Sequence, residues 1–477
     1  MSLNFNNVII GGTSGGGGQT INNEDITVTQ NGVYTAGTGY TGLGTVTVNT
    51  PVINNQDMTI TENGEYTAES GYSGLGTVTV DVPTGGGGGV GTGEFCVKVI
   101  DYDGSLIDTQ YLNAGDTYTL PAQPEHDGLI FQEWSSTKPI VNNTITITNN
   151  NVLVGAIYTT ASGKSEIDIY IKASQSINLS GISGEIDWGD GTINSSGSHT
   201  YSTTGDYTIK FSGGINSVNN NILGTLNSPT IDYVRAIRLS SDVTTIPYNA
   251  FQKLRNMEYI TIPKGVTQIG INFGQGVFKE NKRLTHLILP STVTSISIGM
   301  MSTCYALKIF VSSSITSIAN SCFYQCYALD EIVIPDTVTA IEQYAFYQCF
   351  SLSKIILPNA VTTIGQYAFY QCYGLPKITF SNAITTIGQY AFYYCYALAG
   401  IVIMPSGITS IGQYAFSENL ATDAYDFSNC TSVPTLDNTN AFSLQQSDKI
   451  YVPANLLDEW KAATTWSNYS SFISVKP

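Results

Sequence analysis

Charge is what this chain has least of. Asp, Glu, Lys and Arg make up only 12% of its 477 residues, and 19 Lys and Arg stand against 36 Asp and Glu, a net charge of −17. So few cations argue against nucleic-acid binding, which needs clustered Lys and Arg to neutralise phosphates, and against anionic membrane surfaces. Histidine is scarcer still. His126, His199 and His286 lie in three different segments, none with a companion at metal-ligand spacing, so no metal or cofactor is expected. There is no G-x-S-x-G or H-E-x-x-H, and no glycine run leads into Gly-Lys-Ser/Thr, so the motifs of hydrolytic and phosphate-binding enzymes are missing. A non-enzymatic protein is expected. No run of 18 apolar residues exists to insert in a membrane as a helix. Met1–Gly18 has neither the basic n-region nor the apolar h-region of a secretory signal.

What the chain does have is repetition. From about Val243 to Phe416 one unit recurs eight times, and Cys326, Cys349, Cys372 and Cys395 stand 23 residues apart, with Cys304 preceding them by 22. Isoleucine keeps the same register at Ile246, Ile269, Ile296, Ile318, Ile341, Ile364, Ile387 and Ile411. So does phenylalanine at Phe251, Phe278, Phe323, Phe346, Phe369, Phe392 and Phe416, with Met301 in the same slot. Units of this length cannot bury their own apolar face, so stacked copies must share one core. A solenoid is expected. The cysteine column, an odd set of five facing inward together, reads as buried free thiols serving as small hydrophobes.

One unit, residues 361–381, reads VTTIGQYAFYQCYGLPKITFS: a turn, a short helical or 3₁₀ segment at Ala368–Phe369, and a strand at Ile378–Phe380. It resembles the BspA-like leucine-rich repeat, V-T-x-I-x-x-x-A-F-x-x-C-x-x-L-x-x-I-x-I-P. The resemblance implies adhesion, because members are mostly bacterial, protist or phage surface proteins.

The N-terminal third carries a second repeat. Residues 21–52 and 53–84 agree at 21 of 32 positions. Each is read as two alternating strands, the first at Ile26–Val28 and the second at Thr45–Val48 in the first copy, with an Asn31-Gly32 turn. Two such small units can bury little alone and should pair with each other, trimerise or pack on a neighbour. They resemble a module found in tail and other virion proteins of gut phages. Residues 94–160, with Phe95–Ile100 and Gly128-Leu-Ile-Phe-Gln-Glu-Trp134, resemble the internalin B-type repeat, a β-grasp-like module. Leu129 and Glu133 depart from its G-Y-x-F-x-G-W pattern. Residues 186–209, with Ile186-Asp-Trp-Gly-Asp-Gly-Thr192, His199-Thr-Tyr201 and Gly205-Asp-Tyr207, resemble a PKD domain, an immunoglobulin-like β-sandwich. Both resemblances imply spacers. Asp187 and Asp190 read as turn residues rather than as calcium ligands.

The fold class expected is therefore multidomain and β-rich: small β modules and an immunoglobulin-like sandwich, then a leucine-rich-repeat solenoid with a C-terminal cap. The boundaries are 1–19 for an N-terminal anchor and glycine linker, 20–52 and 53–84 for the paired repeats, 85–93 for a second glycine linker, 94–160, 161–228, 229–423 for the solenoid, and 424–477 for the cap. In the cap Lys449–Val452 should be a strand, and Pro453 should open a helix through Leu456, Leu457, Trp460 and Ala463.

Binding is expected on two surfaces. The strand pattern places Ile288, Phe310, Val333, Ile356, Thr379 and Val402 outward, five of them apolar, and another module, another chain or a ligand could cover them. The tyrosine column Tyr324, Tyr347, Tyr370 and Tyr393 is the second. With no export signal, the expectation is a phage virion protein, a tail or head fibre. Phe5, Val8, Ile9 and Ile10 would help to attach it to other virion proteins, and the solenoid would meet a host surface protein or glycan. The alternative is a bacterial cell-surface adhesin whose export signal is missing; an accessory chain of a carbohydrate-active enzyme is a remote third. A homo-oligomer is possible on either reading.

Overall fold

The computed structural model describes residues 93–148, 150–179, 184–211, 232–271 and 276–477, with seven short strands between Ile9 and Val80. Residues up to Val90 and those from Gly91 onward form two separate units. In the first, Gly32–Thr35 pairs antiparallel with Thr45–Val48, and Gly64–Tyr66 with Val78–Val80. Thr45–Val48 and Val78–Val80 then join the two repeats, again antiparallel, into one four-stranded sheet. Ile9–Ile10 lies between Gln19–Thr20 and Thr59–Ile60. Phe5, Val8 and the expected strand at Ile26–Val28 lie outside the described residues.

In the second unit, most solenoid turns contribute two short parallel strands. One ladder runs through Ser317–Ile318, Ala340–Ile341, Thr363–Ile364, Thr386–Ile387, Ser410–Ile411 and Thr435–Leu436. The other includes His286–Ile288 with Ile309–Val311, and Glu331–Val333 with Lys354–Ile356. The strand expected at Ile378–Phe380 shrinks to one bridge, Thr379 with Ile356.

Between the ladders lies the Q-Y-A-F-Y-Q-C segment, and it is not a helix. Alternate amides divide their bonds. Ala368, Tyr370 and Cys372 donate three residues back within the turn, whereas Tyr367, Phe369 and Gln371 donate to Gln389, Ala391 and Tyr393 of the next turn. The alternation requires left-handed backbone twice per turn, at Tyr367 (φ 55°) and Gln371 (φ 57°). Such residues cost of order 1–3 kcal/mol each and persist only where the surroundings over-determine them; here the inter-turn bonds do so. Inside, the phenylalanines stack from Phe323 to Phe416 at 5.0–5.3 Å.

The cysteine column is buried and free, as the inward register requires. Each Sγ–H donates to a carbonyl 26 or 25 residues earlier, from Cys304 to Phe278 (3.0 Å) through Cys395 to Phe369 (3.2 Å). Burial pushes the Cys304 and Cys395 thiols up to about 12.

Both preceding modules are fused to the solenoid rather than strung before it as spacers. Ser165–Ile171 pairs on one edge with Gly205–Phe211 and on the other with Val234–Arg238, which pairs in turn with the solenoid strand Tyr259–Thr261. One six-stranded sheet thus crosses the junction, and Trp188, Tyr201 and Ile209 share a single core with the repeats. Residues 95–159 form a mixed sheet whose central pair, Phe95–Ile100 and Val152–Thr159, is parallel. Every residue of Val152–Thr159 is buried, because its second face lies on the solenoid.

At the C-terminus Lys449–Val452 is a strand, and a 3₁₀ turn Ala454–Leu456 leads into the helix Leu457–Ala462. Trp460 and Trp466 close the end of the core, and a further strand, Ile473–Val475, pairs parallel with Lys449–Val452.

Candidate functional site: the strand face and the aromatic columns

The strand face divides at about Val333. Over its first half Ile100, Leu153 and Ile157 of the 95–159 sheet pack against Ile288, Val311 and Val333, all buried. Gly155 is what permits the approach: a Cβ there would lie 2.7 Å from Ile288 Cγ2. Polar bonds surround this apolar seam. Lys138, 3% exposed, pairs with Asp336 at 2.7 Å. Asn151 donates to Glu331 and Ser135 Oγ donates to the Leu289 carbonyl (2.6 Å). Glu133 accepts from the Ser291 amide (2.7 Å) and pairs with Lys264 (2.8 Å). A bulge between Phe131 and Glu133 lies at this point of the strand. His286 Nε2–H donates to the Tyr102 carbonyl (3.0 Å). Burial holds its pKa below the ordinary value, and Gly104 (φ +85°) comes so close that a Cβ would strike the ring.

Of the residues read as outward, Ile288, Val333, Ile356 and Thr379 do face away from the solenoid core, the first two under the 95–159 sheet. Phe310 and Val402 face inward. Phe310 packs edge-on against Phe323 at 5.1 Å, and the outward residue of its strand is Val311, paired with Ile288. The outward position falls four residues after the repeat leucine, and counting from Leu307 gives Val311. Val402 is buried because one extra residue, at Gly400 (φ +72°), separates it from Leu398, so that the count of four falls one short and Ile401 and Ile403 take the outward slots. The uncovered half therefore consists of Lys354, half-buried Ile356, Lys377, Thr379, Ile401 (48% exposed) and Ile403 (57%).

On another side, the column Tyr324, Tyr347, Tyr370 and Tyr393 is stacked at 4.7–5.5 Å. Two further columns flank it: Tyr344, Tyr367, Tyr390 and Tyr414 at 4.8–5.0 Å, and Tyr305, Tyr327, Phe350, Tyr373 and Tyr396 at 4.8–5.3 Å. The spacing is that of stacked β-rungs. Burial pushes Tyr347 up to about 12 and also raises Tyr324 and Tyr370. Amides stack similarly, Gln325 donating to Gln348 (2.7 Å) and Gln348 to Gln371 (2.6 Å).

The polar residues of the Asp187–Tyr201 segment are spent on structure. His199 bonds Asp190 (2.7 Å) and stacks on Trp188, and Tyr201 Oη donates to the Trp188 carbonyl. The carboxylates of Asp187 and Asp190 accept from the amides of Gly189 and Thr192 in their own turn. Among the described residues no cluster of three or more His, Cys, Asp or Glu is arranged to hold a metal ion. No described helix is long and apolar enough to cross a membrane.

Compared with known families, residues 197–330 and 316–449 match the BspA type leucine-rich repeat region in six copies, together more than half of the chain. The chain belongs to the BspA-type leucine-rich repeat family. Among solved structures it is similar to a leucine-rich repeat protein of T. pallidum, with 26% identity over 32% of this chain and 72% of that one, at a TM-score of 0.30. It is also similar to a leucine-rich cell surface protein of Faecalibacterium prausnitzii, with 20% identity over 52% of this chain and 65% of that one (TM-score 0.32). A third similarity is to the pneumococcal vaccine antigen PcpA, with 15% identity over 56% and 85% (TM-score 0.28). No curated protein matches.

Proposed function

We propose that this BspA-type protein is a non-enzymatic surface adhesin, displayed on a bacterial cell, whose uncovered strand face grips a protein on another surface. The observation that carries the reading is the exposure of Ile401 and Ile403 side by side at 48% and 57%, on the continuation of a face whose other half is already an interface. Exposed contiguous apolar side chains on a soluble surface mark an interaction site. Lys377 on the adjoining rung and Lys354 on the one before it favour a partner with carboxylates beside an apolar centre. Ile401→Ser with Ile403→Ser should leave thermal unfolding unchanged and remove adhesion of protein-coated beads to host cells. Undiminished adhesion of the folded double variant would refute the assignment.

A second reading has one observation in its favour, the tandem 32-residue repeat and its resemblance to phage virion modules. On that reading residues 1–84, with Ile9 and Ile10, fix the protein to a virion. The PKD-like and internalin B-repeat-like segments serve both readings equally, as rigid supports of the solenoid. Immunogold labelling decides between cell envelope and particle.

A further inference from the structure

The three aromatic columns form a chemically uniform surface of the solenoid, and the strand-face reading makes no use of them. Their side chains are phenols, one phenyl ring and, beside them, carboxamides. Charge is sparse beside them: Lys282 lies over Tyr305 (5.4 Å) at one end, Glu418 lies near Tyr393 and Tyr396 at the other, and Glu342 stands two residues before Tyr344. A charged polymer finds few counter-charges along such a surface. A neutral one bearing many hydroxyls finds donors and acceptors at every rung.

Within a column each ring turns its face to its neighbour, Tyr324 and Tyr347 being parallel to within 2°. Along most of its length, therefore, the surface offers ring edges and amides rather than ring faces. The stack of five rings ends at Tyr396. Tyr373 covers one side of that ring at 5.3 Å, and the position corresponding to it on the next rung is Leu420, not another aromatic. Tyr396 is 48% exposed and Leu420 54%. Tyr394 stands against Tyr396 at 5.3 Å and Tyr393 against Tyr394 at 4.2 Å, so three tyrosines crowd the end of the columns beside the Glu418 carboxylate. An exposed ring with hydroxyl partners is suited to the apolar C–H face and equatorial hydroxyls of a pyranose. The columns then continue at a rung spacing comparable to one sugar unit.

We propose that the aromatic columns bind a neutral polysaccharide, with one sugar ring stacked on Tyr396 and the chain running along the tyrosine and glutamine ladders. The proposal rests on the adhesion reading only in giving the protein a second ligand class. The strand-face substitutions test that reading separately.

The test is native affinity electrophoresis of the full chain through gels containing dextran, mannan, xylan or mixed-linkage β-glucan, with heparin and polygalacturonate as charged controls. At least one neutral polymer should retard the protein, and the charged polymers should not. Tyr396→Ala removes an exposed ring without opening the core. It should weaken retardation by about tenfold, the loss expected when a tyrosine anchor is truncated. Tyr396→Phe keeps the stacking face and should retain most of the binding. Tyr248→Ala, a half-buried tyrosine outside the columns, should have no effect. Unretarded migration in all four neutral polymers would overturn the proposal. So would equal retardation by heparin, which indicates non-specific binding, or full retardation of Tyr396→Ala.

Discussion

The docking of the 95–159 sheet on the solenoid is open to a size-exchange test across 133 residues of sequence. Gly155 and Ile288 meet so closely that an added Cβ would stand 2.7–2.8 Å from Ile288 Cγ2, Cδ1 and Cγ1. Ile288 is only 4% exposed and wedged among Ile100, Leu153, Ile157, Val311 and Val333, so it has little room to withdraw. Gly155→Ala should therefore destabilise the protein by about 1–3 kcal/mol through overpacking. Ile288→Ala removes all three atoms and should cost about 2–5 kcal/mol by leaving a cavity. In the double variant the new methyl enters that cavity. The two costs should fall short of additivity by about 1–2 kcal/mol, well above the ~0.5 kcal/mol scatter of independent sites. Urea unfolding followed by tryptophan fluorescence reads this through Trp134, which lies on the docked sheet. Strict additivity would show that the two residues do not touch and that the sheet does not sit on this face.

The same interface should respond to acid. His286 is buried as a neutral donor to Tyr102 and its folded pKa is depressed, so below about pH 6.5 the unfolded chain takes up a proton that the folded one refuses. Stability should fall by up to ~1.4 kcal/mol per pH unit as pH drops from about 6.5 towards the folded pKa, and His286→Gln should flatten that limb of a pH–stability curve. The thiols give an independent check on the core. Cys304, Cys326, Cys349, Cys372 and Cys395 are fully buried with raised pKa values, whereas Cys96, though burial raises its thiol too, is the most exposed of the eight. Mass spectrometry after brief iodoacetamide treatment of native protein at pH 8 should find Cys96 modified first, and early labelling of the column would refute the stacking.

The repeat was legible because its apolar positions are sequence-local and recur in register; the isoleucine, phenylalanine and cysteine columns all lie inside as their spacing requires. The turn segment was not. Its alanine and aromatics suit a short helix, and only the inter-turn hydrogen bonds, which no single repeat contains, force Tyr367 and Gln371 into left-handed backbone. The outward register failed at two of six strands for a local reason, a miscount from Leu307 and one extra residue at Gly400. The docked sheet was legible only in retrospect. Glu133 stood out as a departure from its family pattern, and it is Glu133 that holds Ser291 and Lys264.

Which half of the strand face is covered can also be read from the neighbouring column, two residues earlier on each strand. Over the docked half it carries Tyr259, His286, Ile309 and Glu331. His286 and Glu331 each bond to the sheet above, through Tyr102 and Asn151. From Lys354 onward it changes to exposed lysines, Lys354 and Lys377. Lysine on an open strand face keeps it soluble and discourages indiscriminate pairing with other sheets. A surface meant only for water would continue that pattern into the next rung. Instead the column returns to isoleucine at Ile401, with Ile403 outward beside it, both about half exposed. The inserted residue lengthens the turn without changing which side chains face out. Ile401 and Ile403 take the slots that Lys377 and Thr379 hold on the preceding rung, Val402 takes that of Ile378, and this concentrates the exposed apolar area at one place on the face. Deleting Gly400 restores the 23-residue spacing and leaves Ile401, Val402 and Ile403 two, three and four residues after Leu398. Val402 should then stay inward and both isoleucines outward, and adhesion through this patch should persist while the solenoid remains folded. Loss of adhesion by the folded deletion variant would refute the register.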